Sequence, residues 1–138
     1  FPGGHVEENE LPDDAVLREI FEETGIRAEI LENGEDRALE DGAAACLHSP
    51  RYTLLENIGG TNEHFHIDFV YFCRPVSGHE QRNERETTGI GWFDAEELLQ
   101  LETYHNVRYI ALQAIRGKGD VGAPPQAPQG VLFEKSTP

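Results

Sequence analysis

The chain has 138 residues and a formal net charge of −15, with 26 acidic and 11 basic side chains. This charge argues against DNA, RNA or an anionic membrane as a direct partner, because those polyanions are bound by basic patches. The length suits one domain, and the two cysteines, Cys46 and Cys73, lack the spacing of a zinc site and favour a reducing cytoplasmic compartment.

The first predicted element is a helix over residues 12–24. Pro12 suits a first helical position, where the missing N–H costs little, and Gly25 suits a left-handed C-cap. Leu11 stands at the N-cap, where Ser, Thr or Asp is usual. We therefore expect a well-bounded helix whose first turn lacks a side-chain cap.

One face of this helix carries a cluster of carboxylates. Glu19, Glu22 and Glu23 share a side at the 3.6-residue period, and like charges at this spacing repel by a few tenths of a kcal/mol per pair. A bound Mg²⁺ would offset this repulsion, since Mg²⁺ prefers hard oxygen ligands and bridges carboxylates to phosphates. Arg18 could orient one of the glutamates. The alternative is a plain solvated acidic face.

The stretch around this helix resembles the signature of the Nudix hydrolases, G-x5-E-x7-R-E-U-x-E-E-x-G-U, in which U is a bulky aliphatic residue. Every fixed position is filled at the correct spacing, by Gly4, Glu10, Arg18, Glu19, Ile20, Glu22, Glu23, Gly25 and Ile26. The resemblance implies a loop–helix–loop that binds divalent metal, Mg²⁺ or Mn²⁺. It also implies hydrolysis of a nucleoside diphosphate linked to another moiety.

The resemblance further implies the roles of individual residues. Metal would be bound by Glu19, Glu22 and Glu23, helped by the carbonyl group of Gly4, while Glu10 would support the loop. Such metals would neutralise the diphosphate oxygens and lower the pKa of a bound water. No covalent intermediate is required.

The resemblance leaves the general base open, because Nudix enzymes differ in the residue that takes the proton from the attacking water. Several use a glutamate in the loop before the later helix, where Glu86 is the best-placed candidate and Glu84 the next. Glu22 is the alternative inside the signature, and Arg18 is a further catalytic candidate. The competing interpretation of Glu86 is a solvated loop charge.

Alternation of apolar and polar residues predicts three strands, over residues 26–31, 51–58 and 63–74. In the third strand, His64, His66 and Asp68 project to one side. The two histidines are candidates for contact with the phosphate or base of a substrate. A second metal site and a polar sheet face are the alternatives.

A charged loop is predicted from Pro75 to Gly91, ending in a short strand over residues 90–93. Asp94 then starts a second helix, with Glu97 completing a capping box. A third helix is predicted over 106–115 from its apolar spacing. These later helices are interpreted as core packing.

The predicted fold is α/β, an α/β/α sandwich with a mixed central sheet between helices. In the family the signature follows two or more strands, so we expect residues before Phe1. The domain is predicted over 1–118 and a flexible Pro/Gly-rich tail over 119–138, in which residues 131–133 are a candidate docking segment.

Two other functions fit part of the sequence. A catalytically silent nucleotide-sensing or nucleotide-binding domain of the same family would be expected to lose the metal-binding glutamates, which are intact here. A structural acidic domain would explain the charge but not the spacing. The expected partner is a small-molecule nucleotide, and a homodimer remains open because dimers are common in the family.

Overall fold

The computed structural model describes residues 1–32, 42–80, 87–117 and 130–136. Helices and strands both occur, in agreement with the predicted α/β class. Their order is α1 (Pro12–Thr24), β1 (Ile26–Ile30), β2 (Tyr52–Asn57), β3 (Phe65–Val70), β4 (Cys73–Gly78), β5 (Thr87–Phe93), α2 (Ala95–Gln100), α3 (His105–Gly117) and β6 (Val131–Ser136). None of the helices in these ranges is long and apolar enough to cross a membrane.

Helix α1 has the bounds that the sequence predicts. Leu11 is extended and makes no capping hydrogen bond through its side chain, and Pro12 begins the helix. Gly25 ends it at φ 71°, where its N–H donates to the carbonyl oxygen of Phe21 at 2.8 Å. This left-handed geometry costs glycine little, because glycine has no Cβ to clash.

The strands form three separate two-stranded antiparallel ladders, β1–β4, β2–β3 and β5–β6. Within the described ranges all three ladders are antiparallel. The α/β class itself needs only the elements present here.

The third predicted strand is two strands in the structure. β3 ends at Val70 and β4 begins at Cys73, and β4 continues to Gly78 through a segment that was predicted as loop. Pro75 lies inside this strand. It is tolerated because it pairs with Ala28 next to a register shift in β1, and proline is accommodated at such bulges and edges.

The structure also corrects the prediction of a flexible tail for residues 131–136. This segment is strand β6, which pairs with β5 and places Phe133 in the core at 6% exposure. The ring of Phe133 lies 4.8 Å from that of Phe1 and 5.8 Å from that of Phe93, measured between centroids. Residues 119–129 and 137–138 of the predicted tail lie outside the described ranges.

The core at this end of the molecule joins α2, α3 and β6. Its buried members are Leu98, Ala111 and Phe133. As predicted, Asp94 caps α2, accepting hydrogen bonds from the backbone N–H groups of Glu96 and Glu97. Helix α1 packs instead on β1, and it thereby leaves its acidic face turned towards the N-terminal loop.

Candidate active site

Arg18 is the centre of the signature region in the structure. Its guanidinium group donates to both carboxylate oxygens of Glu10, from Nε to Oε1 at 2.8 Å and from Nη2 to Oε2 at 3.0 Å. Nη2 also donates to the carbonyl oxygen of His5 at 3.0 Å. A bidentate pair of this kind fixes both partners in one geometry. Arg18 therefore ties the N-terminal loop to α1.

The charges of this pair are mutually stabilised. Hydrogen bonding by Arg18 is the largest cause that lowers the pKa of Glu10 to about 2, and the N–H of Glu7, 2.9 Å from Oε2, acts in the same direction. Hydrogen bonds to Glu10 and then to Glu19 raise the pKa of Arg18 above its ordinary value. Both Glu10 and Arg18 are therefore ionised at neutral pH.

Two of the three predicted metal ligands on α1 also contact Arg18. Nη1 lies 2.9 Å from Oε1 of Glu19 and 3.3 Å from Oε2 of Glu22. The side chain of Glu19 is 16% exposed, whereas that of Glu22 is 55% exposed. The structure thus brings these two carboxylates to one guanidinium nitrogen, with Glu22 the more accessible to solvent.

Gly4 has a steric role in this arrangement. A Cβ atom built at Gly4 would lie 2.3 Å from Oε1 of Glu19 and 2.4 Å from its Cδ. The absence of a side chain therefore allows the carboxylate of Glu19 to lie directly against the loop backbone. A Cβ atom built at the neighbouring Gly3 would meet no atom within 4 Å.

Glu23 is held differently from the other two glutamates. It is only 8% exposed, and its Oε2 accepts a hydrogen bond from the N–H of Gly3 at 2.8 Å. Loop residues Gly3, Gly4 and His5 thus each contact a different part of the signature helix. The loop and the helix form one connected unit.

The chemistry of these residues suits a hard divalent cation, because carboxylate oxygens are the ligands that Mg²⁺ and Mn²⁺ prefer. Among the described residues, no three His, Cys, Asp or Glu side chains are arranged around a point that a metal ion could occupy. In this structure Arg18 engages Glu19 and Glu22 instead. A cation would compete with Arg18 for these two carboxylates.

The predicted histidine pair lies beside the N-terminal loop. Nε2 of His64 is 2.9 Å from Nε2 of His66, so the two side chains meet on one side of the strand as the two-residue period predicts. The ring of His66 packs edge-on against that of His5, with centroids 5.5 Å apart. Strand β3 therefore brings the pair to the loop that contacts Glu19 and Glu23.

The apolar face of β3 is turned towards solvent. Phe65, Ile67 and Phe69 are 47%, 66% and 45% exposed, while His66 and Asp68 on the other face are less exposed. Across the ladder, Glu56 is opposite His66, and burial and then the nearby Asp68 raise the pKa of Glu56. The polar face of this ladder is thus the one turned towards the signature loop.

An open cavity of about 1450 Å³ begins at this loop. Gly3, Gly4 and His5 line its edge, and His66 and Asp68 of β3 form part of its wall. It continues between α1, α3 and β6. The N-terminal loop that contacts the carboxylates therefore borders this cavity.

Sequence reasoning missed an interaction in the first turn of α1. Oδ2 of Asp13 lies 2.7 Å from Nδ1 of His48 and accepts from the backbone N–H of that residue at 2.9 Å. Burial and then Asp13 raise the pKa of Tyr71, whose hydroxyl is 3.5 Å from Oδ1. No local pattern could reveal a contact between residues so distant in sequence.

The candidate bases of the loop, Glu84 and Glu86, lie outside the described residues. The part of that loop which the structure does describe approaches α1. Gly78, at φ 101°, is so close to the helix end that an added Cβ would lie 2.4 Å from the carbonyl oxygen of Gly25. The chain thus leaves β4 next to the C-terminal end of α1.

Comparison with known proteins gives consistent matches. A family model described as the NUDIX domain matches residues 1–114. A MutT-like protein from Streptomyces ambofaciens is 29% identical over 97 residues, which are 70% of this chain and 48% of that protein. The chain thus spans about half the length of this curated relative.

A solved structure is similar over a larger share of both chains. The crystal structure of a hydrolase of the NUDIX family from Clostridium perfringens matches with a TM-score of 0.69 and 29% sequence identity. The match covers 80% of this chain and 75% of that one. The similarity therefore extends well beyond the signature to most of the described elements.

Proposed function

The chain belongs to the Nudix family, and we propose that it hydrolyses the diphosphate linkage of a nucleoside diphosphate joined to another moiety. The observation that carries this proposal is the Arg18 network. It holds Glu10, Glu19 and the loop carbonyl of His5 together, and Gly4 leaves room for the carboxylate of Glu19 against the loop. A solvated acidic face would not need this set of contacts.

The proposed cofactor is Mg²⁺, with Mn²⁺ as a substitute. Its ligands would be the carboxylates of Glu19, Glu22 and Glu23 and the carbonyl oxygen of Gly4. When bound, such a metal neutralises phosphate charge and lowers the pKa of a bound water. Two features of the chain support this assignment. Gly3 fixes one oxygen of Glu23, and Glu22 is exposed enough to reorient.

The proposed reaction is a direct attack by water. The water oxygen bonds to one phosphorus, the bridging phosphorus–oxygen bond breaks, and the bridging oxygen leaves with the other phosphate. The proton of the water passes to a carboxylate, for which we propose Glu86, with Glu84 next and Glu22 as the alternative within the signature. The approach of Gly78 to Gly25 supports the loop assignment, because it brings the chain that leads to Glu86 close to α1.

We propose further roles for Arg18 and the histidine pair. Arg18 would position Glu19 and Glu22 and contribute positive charge as charge develops on the phosphates. His64 and His66 would contact the substrate, a role supported by the packing of His66 on His5 of the signature loop and by the contact of His64 with His66. Their imidazole nitrogens are suitable hydrogen-bond donors to phosphate oxygens.

The proposed setting is the reducing cytoplasm, which the free thiols of Cys46 and Cys73 support. The proposed partner is the small-molecule nucleotide alone, and a homodimer is retained as a family-based proposal. Neither proposal affects the chemistry assigned to the signature.

The test is an assay of this chain against a panel of nucleoside triphosphates, nucleotide sugars, dinucleoside polyphosphates and ADP-ribose. Products are quantified with Mg²⁺, with Mn²⁺ and with excess EDTA. We expect at least one compound to be hydrolysed with Mg²⁺ and none with EDTA. Binding without turnover would instead support a nucleotide-sensing domain, and neither binding nor turnover would leave a structural role.

A further inference from the structure

The histidine pair of β3 places two ring nitrogens close together. Nε2 of His64 and Nε2 of His66 are 2.9 Å apart. The backbone of both residues is fixed, because His66 pairs with Glu56 across the ladder and the carbonyl oxygen of His64 accepts from the N–H of Ile58 at 2.9 Å. Rotation of the rings about their side-chain bonds is the freedom that remains, and it can turn both nitrogens towards one common point.

The separation of these nitrogens suits two ligands of one transition-metal ion. Metal–imidazole bonds are about 2.0–2.1 Å long, so an ion bound to both nitrogens at their 2.9 Å separation would hold them at an angle of roughly 90°. This is the angle between neighbouring ligands in square-planar or tetragonal coordination, which Cu²⁺ and Ni²⁺ adopt with nitrogen and oxygen ligands. A tetrahedral zinc site would need the two nitrogens about 3.3 Å apart.

The hydrogen bond within the pair is compatible with metal binding. In the neutral pair one ring donates its Nε2–H to the lone pair on Nε2 of the other ring. A metal needs both of these lone pairs, so the donor ring would carry its proton on Nδ1 instead. The neutral pair therefore neither gains nor loses a proton, and one hydrogen bond is exchanged for two metal–nitrogen bonds.

Negative charge beside the pair favours a cation at this position. Glu56 lies opposite His66, and Asp68 follows two residues later on the same face of β3. Burial and then Asp68 raise the pKa of Glu56, whereas His66 acts in the opposite direction. A cation held by the pair would add to this effect of His66 and offset the repulsion between the two carboxylates.

We propose that His64 and His66 form a second metal site, which binds Ni²⁺ or Cu²⁺ through both Nε2 atoms. The site is separate from the proposed Mg²⁺ site, because imidazole nitrogen suits Ni²⁺ and Cu²⁺ whereas Mg²⁺ prefers oxygen ligands. Among the described residues no third His, Cys, Asp or Glu completes a metal cluster, so water fills the other coordination positions. Phosphate oxygens can replace this water, which is consistent with the substrate contact proposed for the pair.

The first test is a calorimetric titration of the whole chain with Ni²⁺, in a large excess of Mg²⁺ that occupies the carboxylate cluster. Ni²⁺ is the probe because Cu²⁺ would oxidise the free thiols of Cys46 and Cys73. We expect one Ni²⁺ per chain. His64→Asn and His66→Asn should each lower the affinity at least tenfold, because each removes one of two protein ligands. His105→Asn, at an exposed histidine that begins α3, should change the affinity less than twofold.

X-ray absorption at the nickel edge then counts the imidazole ligands of the bound ion. We expect two in the wild type and one in His64→Asn. The side chain of His64 is exposed, so this variant should fold, and thermal unfolding without metal checks that it does.

Three results would overturn the proposal: no Ni²⁺ binding by the wild type, equal affinity in the wild type and folded His64→Asn, or bound Ni²⁺ without imidazole ligands. The last result would assign the ion to the carboxylates. All of these measurements are made without substrate, so their outcome is independent of whether the chain hydrolyses any nucleotide.

Discussion

Gly4→Ala should damage the site while sparing the fold. The added Cβ would lie 2.3 Å from Oε1 of Glu19, and Cβ contacts essentially never fall below 3.0 Å. The carboxylate must therefore retreat by at least 0.7 Å and weaken its 2.9 Å ion pair with Arg18. Misplacement of a reacting group by about 1 Å can cost about 10²-fold in rate, so we expect kcat/KM to fall roughly 10- to 100-fold.

The assay compares Gly4→Ala with Gly3→Ala, whose added Cβ meets no atom within 4 Å. Turnover of the best substrate of the nucleotide panel and Mn²⁺ affinity by electron paramagnetic resonance are measured for both variants. Thermal unfolding should change little, because the clash involves the end of a flexible side chain. Gly3→Ala should stay within about threefold of wild type. Equal turnover and equal Mn²⁺ affinity in the two variants would refute the role assigned to Gly4.

Three further predictions concern protonation. The pKa of Glu10 is lowered from 4.5 to about 2, so its contribution to stability is complete above pH 4.5 and is lost as the pH falls towards 2. The free energy of unfolding measured in urea should therefore fall less over this pH range in Glu10→Gln than in wild type. Burial raises the pKa of the Cys73 thiol to about 12, so in Cys46→Ser a thiol reagent at pH 8 should react slowly until the protein unfolds, and rapid native labelling would contradict this. Glu86→Gln should lower kcat about 10²–10⁴-fold with little change in KM, whereas Glu84→Gln should lower kcat much less. Small and equal effects of the two substitutions on kcat would favour Glu22 of the signature helix as the general base.

Elements with local boundary signals were predictable from the sequence. Pro12 and Gly25 define α1 through their own backbone preferences, and the capping box at Asp94 defines the start of α2. The elements that were missed depend on distant partners. β4 contains a proline whose tolerance depends on an irregularity in β1, and β6 follows a Pro/Gly-rich stretch and is stabilised by pairing with β5.

In the candidate site, too, local features were predictable from the sequence and contacts between distant residues were not. The signature gave the identity and spacing of the glutamates, and the two-residue period gave the meeting of His64 with His66. Neither pattern showed that Arg18 contacts Glu19 and Glu22 simultaneously, or that His66 packs on His5. Those contacts depend on side-chain geometry and on the packing of β3 against the loop, which sequence spacing does not contain.

The most direct test of the central claim is the activity of Glu23→Gln at limiting Mg²⁺. Glu23 is 8% exposed and fixed by the N–H of Gly3, so an amide should fit the same space and preserve the fold. Glu102→Gln, an exposed acidic position between α2 and α3, is the control for loss of one negative charge. We predict that Glu23→Gln lowers hydrolysis of the best panel substrate by orders of magnitude, with an unchanged melting curve, while Glu102→Gln stays at the wild-type level. Near wild-type hydrolysis by folded Glu23→Gln would contradict the assignment of this cluster as the metal-dependent active site.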